Sequence, residues 1–249
     1  MDVKFLEVCE DIKKYLVPHK TNFKKIRIGH QSDGGYVICD GLPEYDALYS
    51  YGSDDNITFE KDFYNHFQKE SYVYDHTIDG ITDKPDYIHF FKEGVYSQKT
   101  ENMDTIDNHI IKNGHTECKN LFAQIDIEGY EWVILNKDSK YIDNFSQVIL
   151  ELHFHHDVMR IIQFENVYLD VLKFMNEKFV CVHVHGNNHP IQPWLDLNFP
   201  TVIEVTFVRK DLITSSEPDN QTYPLEGLDN PCAIGRPDLK LDYWFNKPK

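Results

Sequence analysis

Short apolar runs alternate with helical patterns from about residue 46 onward. This alternation is typical of a parallel β-sheet flanked by α-helices. It predicts strands at residues 46–52, 71–75, 87–95, 120–126 and 147–154, and helices at residues 58–70 and from about 158 to 178. We therefore predict an α/β fold with a Rossmann-like, doubly wound sheet that is mostly parallel.

The pattern changes after the last of these helices. Residues 179–186 ("FVCVHVHG") and 201–210 ("TVIEVTFVRK") are two β-rich runs with no long helix between them. Two strands without a helical crossover pair antiparallel, because a parallel pair needs a long connection. We therefore predict an antiparallel edge strand on the otherwise parallel sheet.

The two ends of the chain differ from this core at residues 46–210. Residues 1–45 contain an amphipathic helix and then a hairpin, whose tight turn is marked by Asp33, Gly34 and Gly35. Residues 211–249 are rich in Pro, Asn, Asp and Gly, and predict an irregular tail packed by Tyr243, Trp244 and Phe245. No shift in composition divides the chain, so residues 1–249 are interpreted as a single domain.

The overall charge restricts the classes of partner. The chain has 41 acidic and 25 basic residues in 249, a formal net charge of -16, and no cluster of basic residues. Such a surface repels nucleic acid and anionic membranes, so we expect small-molecule substrates, with no nucleic-acid and no membrane partner. The pattern carries no signal for oligomeric state.

Cysteine usage and the first residues indicate the compartment. The five cysteines are scattered and form no C-x-x-C pair, which is typical of a reducing compartment. The start of the chain has no apolar segment of the secretory type, and no later stretch is long enough to span a membrane. We therefore expect a cytoplasmic protein.

Chemically reactive side chains collect where the predicted strands end. Ligands of open α/β sheets bind beyond the carboxyl ends of the strands. Asp75 ends the second predicted strand and lies 23 residues after Gly52, close to the spacing at which a carboxylate contacts a ribose diol in nucleotide sites. The chain lacks G-x-G-x-x-G, the cradle for a pyrophosphate. We therefore expect a cofactor with an adenosine-like ribose and no pyrophosphate.

Five segments together resemble a known family. They are "LYSYGSDDNITFEKDF", "YVYDHT", "IDIEGYEW", "VILELHF" and "VHVHGNN". In order, they resemble the class I S-adenosylmethionine-dependent methyltransferases, and within these the FkbM-like group with its D-x-E-G-x-E-x-x-x-L signature. The resemblance covers roughly residues 25–210. It implies the class I methyltransferase fold and a sugar O-methyltransferase of bacterial capsular or surface polysaccharide synthesis, acting on a nucleotide-linked sugar.

The resemblance also assigns residues to the cofactor, S-adenosyl-L-methionine. It implies that Gly52 and Ser53 approach the methionine moiety, and that Asp75 accepts hydrogen bonds from the ribose. It places Asp126 near the sulfonium and the substrate. The turn with Asp33 and Gly34 has a counterpart in such proteins and could close over the methionine end, although a plain hairpin turn fits the sequence equally well. One glycine stands after the first strand, where many relatives have two or three.

Methyl transfer to a hydroxyl requires removal of its proton, by a positioned base or by a metal ion that lowers its pKa. Carboxylate and imidazole groups for both routes follow the strands. Candidate catalytic residues are Asp126, His153 and His185, with His155 as a further imidazole. Candidate ligands for Mg²⁺ or Mn²⁺ are Asp126, Glu128, Glu151 and His153.

Each assignment has a structural alternative. Glu128 could cap the helix that starts near Gly129, and Glu131 is interpreted as a first-turn helix acid. His155 could be a solvated turn residue, and strand parity favours His153. For the whole chain, the alternatives are a non-catalytic nucleotide- or metal-binding domain of this fold, a methyltransferase acting on a non-sugar small molecule, and a nicotinamide oxidoreductase, which the missing glycine fingerprint disfavours.

Overall fold

The computed structural model describes residues 3–135, 139–154, 165–189, 199–214 and 217–241. Over these residues, no helix combines the length and the apolar composition needed to cross a bilayer. His155 and the aromatic residues Tyr243, Trp244 and Phe245 lie outside the described residues, as does the beginning of the helix predicted from about residue 158.

Helices flank the predicted strands. Within the described residues they are α1 (Val3–Tyr15), α2 (Thr58–Phe67), α3 (Ile106–Lys112), α4 (Glu131–Ile134) and α5 (Glu165–Lys178). The helix predicted at residues 58–70 ends early because Gln68 adopts a left-handed conformation and its N–H caps the carbonyl of Tyr64. Its first N–H, that of Thr58, is accepted by Asn56 Oδ1, so Asn56 caps this end and the Thr58 side chain does not.

The strands form one large sheet and two small ones. In chain order they are β1 (Lys24–Gly29), β2 (Gly35–Asp40), β3 (Leu48–Tyr51), β4 (Ser71–Tyr74), β5 (Ile88–Phe91), β6 (Gly94–Val95), β7 (Met103–Asp104), β8 (Leu121–Ile125), β9 (Phe145–His153), β10 (Phe179–Gly186) and β11 (Val202–Arg209). The central sheet has seven strands in the order β10-β11-β9-β8-β3-β4-β5. Strands β3, β4, β5, β8 and β9 pair in parallel, so the predicted α/β sheet is confirmed.

The antiparallel strand does not lie at the edge of the sheet. Strand β11 pairs antiparallel with both β9 and β10, and β10 is the outermost strand. The two β-rich runs therefore pair antiparallel at one edge of the sheet, as predicted, but the strand that runs against the others is second from that edge and is not the edge strand itself. Every residue of β11 from Val202 to Val208 is buried, including the polar Glu204 and Thr206. Because β11 lies between β9 and β10, both of its hydrogen-bonding edges are paired, and β10 takes the outer position.

The N-terminal hairpin of β1 and β2 packs as a separate two-stranded sheet on one face of the central sheet. Two side chains of the central sheet fix it there. Gln147 Oε1 accepts the N–H of Cys39 at 2.7 Å, and Gln147 Nε2 donates to the carbonyl of Cys39 at 3.1 Å. The Thr206 hydroxyl donates to the carbonyl of Val37. This contact directs Tyr36 towards the ends of β8 and β9.

The strand order reverses between β3 and β8. From β3 the chain proceeds to β4 and β5 on one side, and it later returns to β8 and β9 on the other side. The connections therefore diverge above the carboxyl ends of β3 and β8, where Gly52 and Asp126 are located. This is the position at which open α/β sheets leave a crevice for a ligand.

Candidate active site

A cavity of about 750 Å³ lies beyond the carboxyl ends of β3, β4 and β8. Its volume is within the range of about 300–1,000 Å³ that is common for small-molecule sites. Most of the residues singled out from the sequence line it, namely Asp33, Gly34, Gly52, Ser53, Asp75, Asp126 and Glu128. The cavity therefore gathers side chains from four separate segments of the chain.

Gly52 forms the floor of this cavity, and its backbone requires glycine. Its φ is +79°, and a Cβ at this position would lie 1.8 Å from the carbonyl oxygen of Asp126. The glycine therefore lets the ends of β3 and β8 approach each other. It also leaves the backbone of Gly52 and Ser53 open to a ligand in the cavity.

Asp75 is a fixed, buried hydrogen-bond acceptor. Its Oδ1 accepts the N–H of Thr77 at 2.8 Å and the Thr77 hydroxyl at 2.6 Å. Its Oδ2 accepts the N–H of Asp54 at 3.0 Å, which uses one of the two lone pairs of that oxygen. The remaining lone pair is available to a ligand hydroxyl, and the orientation of the carboxylate is fixed before any ligand binds.

The turn of the N-terminal hairpin is both a hairpin turn and a wall of the cavity. Gly34 has a φ of +79°, and a Cβ there would lie 2.9 Å from Asn56 Nδ2 in the loop before α2. The N–H of Gly29 donates to Asp62 Oδ2 of α2 at 3.0 Å. The turn at Asp33 and Gly34 is therefore a hairpin turn that also lies beside Gly52 and Asp126 in the cavity lining, and its role at the methionine end stays a prediction.

The turn after β8 presents Glu128 to the cavity. Glu128 has a φ of +56°, an uncommon conformation for a residue with a side chain, and its side chain is 84% exposed. The carboxylate of buried Glu131 accepts the N–H groups of Ile127 at 3.0 Å and Gly129 at 3.3 Å. Glu131, the predicted first-turn acid, therefore holds the turn between β8 and α4, and the residue at the N-cap position of α4 is Tyr130, not Glu128.

His153 is held between carboxylates at the end of β9. Its Nδ1 is 3.2 Å from Glu131 Oε1, and its Nε2 lies 3.5 Å from Glu128 Oε2 and 3.9 Å from Asp126 Oδ1. Burial lowers the pKa of this imidazole, but the hydrogen bond to Glu131 and the surrounding carboxylates outweigh burial and raise the pKa to about 9. Without a metal ion, His153 is therefore a cation at neutral pH and a poor general base.

Asp126 and Glu151 form a coupled acidic pair. Burial, together with the negative charge of Glu204, raises the pKa of Glu151 to about 7. Burial and the neighbouring Glu151 raise the pKa of Asp126 well above its usual value. Two adjacent carboxylates do not both ionise readily, so the pair retains a proton near neutral pH. The Asp126 side chain is 27% exposed and faces the cavity, whereas Glu151 is buried behind it.

Neutral donors fix the orientation of this pair. Asn187 Nδ2 donates to Glu151 Oε1 at 2.9 Å. The Tyr36 hydroxyl lies 3.3 Å from Glu151 Oε2 and 3.4 Å from Asp126 Oδ2. A carboxylate pair with a pKa near the operating pH and a fixed orientation is suited to general acid–base catalysis.

Glu60 is a further carboxyl group in the cavity lining, and sequence reasoning missed it. The Ser50 hydroxyl lies 2.5 Å from Glu60 Oε1 and 2.8 Å from Gln124 Oε1, and one hydroxyl hydrogen cannot serve both acceptors. A protonated Glu60 that donates to Ser50 completes the network, because Ser50 then donates to Gln124. Burial also raises the pKa of Glu60 to about 7.

Three of the four predicted metal ligands lie together. Asp126, Glu151 and His153 each offer a ligand atom, and these atoms all lie within 4.8 Å of one another. His153 Nδ1 is bonded to Glu131, which leaves Nε2 directed towards Asp126, the arrangement expected of a metal-binding histidine. The fourth predicted ligand, Glu128, approaches His153 Nε2 from the exposed rim.

His185 is not in the cavity lining. Its Nδ1 is 2.8 Å from Glu204 Oε2, and its Nε2 is 3.0 Å from Asp238 Oδ1. Both nitrogens are therefore engaged with buried or half-buried carboxylates on β11 and in the C-terminal segment. The catalytic role predicted for His185 has no support in this placement, and it stays a prediction.

No protein-family model matches this chain, and a search of curated proteins finds no significant match. The inference of function therefore depends on the residues of the chain itself.

Proposed function

We propose that this protein is an S-adenosylmethionine-dependent O-methyltransferase that acts on a hydroxyl of a sugar. The observation that carries the proposal is the pairing, in one cavity, of the fixed acceptor Asp75 with the coupled acidic pair Asp126 and Glu151. Asp75 suits the ribose of a nucleoside, and the acidic pair suits removal of a proton from an acceptor hydroxyl. The mostly parallel sheet, with β11 antiparallel near one edge, is compatible with the fold that the family resemblance implies.

The cavity is divided between cofactor and acceptor. The Gly52 and Ser53 end, next to Asp75, would receive the methionine and ribose parts of S-adenosylmethionine. The absence of a G-x-G-x-x-G sequence agrees with a cofactor that has no pyrophosphate. Asp126 and Glu128 line the adjoining part of the cavity, where the acceptor would bind.

S-adenosylmethionine supplies an electrophilic methyl group when it is bound. Asp126 would take the proton of the acceptor hydroxyl as that oxygen receives the methyl group and the cofactor sulfur becomes neutral. For this step the proton that the pair retains would lie on Glu151, which leaves the Asp126 carboxylate ionised and able to act as the base. His153, whose pKa of about 9 makes it a cation at neutral pH without metal, would offset the negative charge of Asp126 from beside it.

A divalent cation fits the same residues. Asp126, Glu151 and His153 would hold Mg²⁺ or Mn²⁺, with Glu128 available at the rim, and the ion would lower the pKa of a bound hydroxyl. It would also offset negative charge when the acceptor carries phosphates. This matters because the chain has a formal net charge of -16 and the proposed acceptor is a nucleotide-linked sugar.

The biological setting of the proposal comes from the family resemblance. It is methylation of a precursor of capsular or surface polysaccharide, in the cytoplasm. The five cysteines, all free, agree with a reducing compartment.

The test is transfer of a labelled methyl group from S-adenosylmethionine to a panel of nucleotide sugars, with and without chelator. We expect transfer to at least one nucleotide sugar, and its loss in Asp126→Asn. Transfer that persists in chelator would leave the carboxylate pair as the base without a metal ion. Transfer only to non-sugar acceptors would correct the substrate class. Binding of the cofactor without transfer to any acceptor would favour a non-catalytic domain of the same fold.

A further inference from the structure

A second cluster of metal-binding side chains lies outside the cavity lining. It joins His185 of β10, Glu204 of β11 and Cys232 of the C-terminal segment. These residues are buried, with exposed fractions of 1%, 4% and 4%. Each offers one ligand atom, and the three atoms all lie within 4.8 Å of one another. They are brought together from distant positions in the sequence, and the proposed methyl transfer does not use them.

The spacing of these atoms suits a single small cation. His185 Nδ1 lies 2.8 Å from Glu204 Oε2, and Cys232 Sγ lies 3.1 Å from Glu204 Oε1. Ligands that share a tetrahedral zinc ion at about 2.0–2.3 Å must lie roughly 3 to 4 Å apart. A shift of a few tenths of an ångström would therefore open the cluster to an ion.

The donor types select the kind of cation. One imidazole nitrogen, one thiolate sulfur and one carboxylate oxygen form a mixed set that suits Zn²⁺, whereas Mg²⁺ and Ca²⁺ prefer oxygen ligands. The cluster at Asp126, Glu151 and His153 contains no sulfur. The two clusters are therefore expected to differ in the metal that they bind.

The outer surroundings of His185 supply an independent indication. Its Nε2, the nitrogen that faces away from Cys232 and Glu204, lies 3.0 Å from Asp238 Oδ1 and 3.1 Å from Asp238 Oδ2. Histidines that bind metals almost always donate their second ring N–H to a carboxylate, a carbonyl or a water molecule. Asp238 therefore occupies the position of such an outer-shell partner and fixes the ring with Nδ1 directed at the other two ligands.

We propose that His185 Nδ1, Glu204 and Cys232 Sγ bind one zinc ion that ties the C-terminal segment to the sheet. The second oxygen of Glu204 or a water molecule completes the coordination. On binding, the Cys232 thiol and the His185 Nδ1–H each release a proton to solvent, while bonds from zinc to sulfur, nitrogen and oxygen form. The metal-free cluster is instead held by protons, with the thiol donating to Glu204 and the imidazole bonded to two carboxylates.

The ion would act on two parts of the molecule. Cys232 and Asp238 belong to the described segment 217–241, which forms no helix and no strand beyond an isolated bridge at Pro218. A metal at this cluster would hold that segment against β10 and β11. Glu204 also has an oxygen within 4.8 Å of oxygens of Asp33 and Glu151, so the ion would reduce the negative charge beside the cavity.

The test is metal binding by chelator-treated full-length protein, without cofactor or acceptor. We expect one equivalent of Zn²⁺ to bind, and Co²⁺ in its place to give the near-ultraviolet absorption of a cobalt–thiolate bond. Zn²⁺ should also raise the melting temperature by about 5 °C or more at saturating concentration, because it binds only the folded state.

Two cysteine variants assign the sulfur ligand. Cys232→Ser should lose the cobalt–thiolate band and the stabilisation by Zn²⁺, while Cys118→Ser, a half-buried cysteine outside the cluster, should keep both. Absence of the band in the unmodified protein would overturn the proposal, whether or not the variants fold. A band that survives in Cys232→Ser would overturn it equally. Methyl transfer is not measured, so failure here is distinct from failure of the proposed function.

Discussion

Two histidines, His153 and His185, lie at the ends of neighbouring parts of the same sheet, and each is surrounded by carboxylates. His153 adjoins the cavity through Asp126, whose side chain is 27% exposed. His185 is closed off by the C-terminal segment, which supplies Asp238 and Cys232. The two histidines therefore have nearly the same types of neighbouring residue, but only the His153 cluster is accessible from the cavity.

This difference assigns different roles to similar chemistry. Around His153, the carboxyl pair retains an exchangeable proton next to space for a ligand, which is what catalysis requires. Around His185, both ring nitrogens lie within hydrogen-bond distance of carboxylates, those of Glu204 and Asp238, and the Cys232 thiol is added. Such a closed, mixed set is typical of a structural site. Accessibility is therefore the feature on which we assign a catalytic role to one histidine cluster and a structural role to the other, although both have acidic neighbours.

The largest expected effect is on catalysis at the open cluster. Asp126→Asn removes the group that accepts the proton, so turnover should fall by roughly 10²- to 10⁴-fold, the usual contribution of a general base. Affinity for S-adenosylhomocysteine should change little. The matched control is Glu117→Gln, an exposed acid away from the cavity. Equal activity of Asp126→Asn and the control would contradict the assignment of Asp126.

Replacing each histidine tests the comparison directly. His185→Gln leaves Glu204 and Asp238 without their cation, and loss of one partner of a buried ion pair costs about 3–5 kcal/mol of unfolding free energy. His153→Gln should lower turnover by more than its loss of stability accounts for, because it removes the positive charge beside the Asp126 and Glu151 carboxyl groups. Thermal melts and turnover of the folded protein, measured side by side, check this. The two histidines would have exchanged roles if His185→Gln removed activity from a protein of unchanged stability.

Glu60 provides a buried carboxyl group with no cation bonded to it, in contrast to both clusters. Its pKa is raised to about 7 in the folded protein, above the ordinary value of 4.5, so the folded state favours the protonated form. Stability is therefore lost as pH rises from the unfolded pKa to the folded pKa. Glu60→Gln stays neutral, so its advantage over the unmodified protein should be absent near pH 4 and reach about 3 kcal/mol above pH 7. Melts across this range measure it, and a difference independent of pH would show that Glu60 is ionised when buried.

The smallest effect expected is on cofactor affinity. Asp75→Ala removes the acceptor proposed for a ribose hydroxyl, and one hydrogen bond to a charged group corresponds to roughly a tenfold loss of affinity or more. Calorimetry with S-adenosylhomocysteine measures it. Asp75→Asn is the companion variant, since it keeps the size of the side chain. Unchanged affinity in both would remove Asp75 from the cofactor site.

Local patterns were sufficient for most of the fold. Most strands end within two residues of the predicted positions, because apolar runs and their bounding polar residues depend on neighbours in sequence. The strand predicted at residues 87–95 was wrong in its second half, since β5 ends at Phe91 and residues 94–95 form β6 in a separate sheet with β7. The position of β11 was missed because an apolar run shows that a strand is buried and does not show which strands border it. Parity along β9 also placed Glu151 and His153 correctly beside Asp126.

The candidate site was less predictable where partners come from distant segments. His185 resembled His153 in sequence, and its separation from the cavity depends on Glu204, Cys232 and Asp238, which lie 19 to 53 residues further along the chain. Glu60 looked like an ordinary acid in the first turn of a helix. What distinguishes Glu60 from such an acid is its contact with Ser50 of β3, which in turn contacts Gln124 of β8. The one signal of this in the sequence was that the carboxylate lies on the side of the helix that faces an apolar strand.

The most direct test of the central claim is calorimetric titration of the purified protein with S-adenosylhomocysteine, with and without Mg²⁺. We predict micromolar binding to the unmodified protein and weaker binding to Asp75→Ala. Tighter binding in Mg²⁺ would indicate an ion at Asp126, Glu151 and His153. No binding in either condition would contradict the account, because the cavity would then lack the cofactor on which methyl transfer depends.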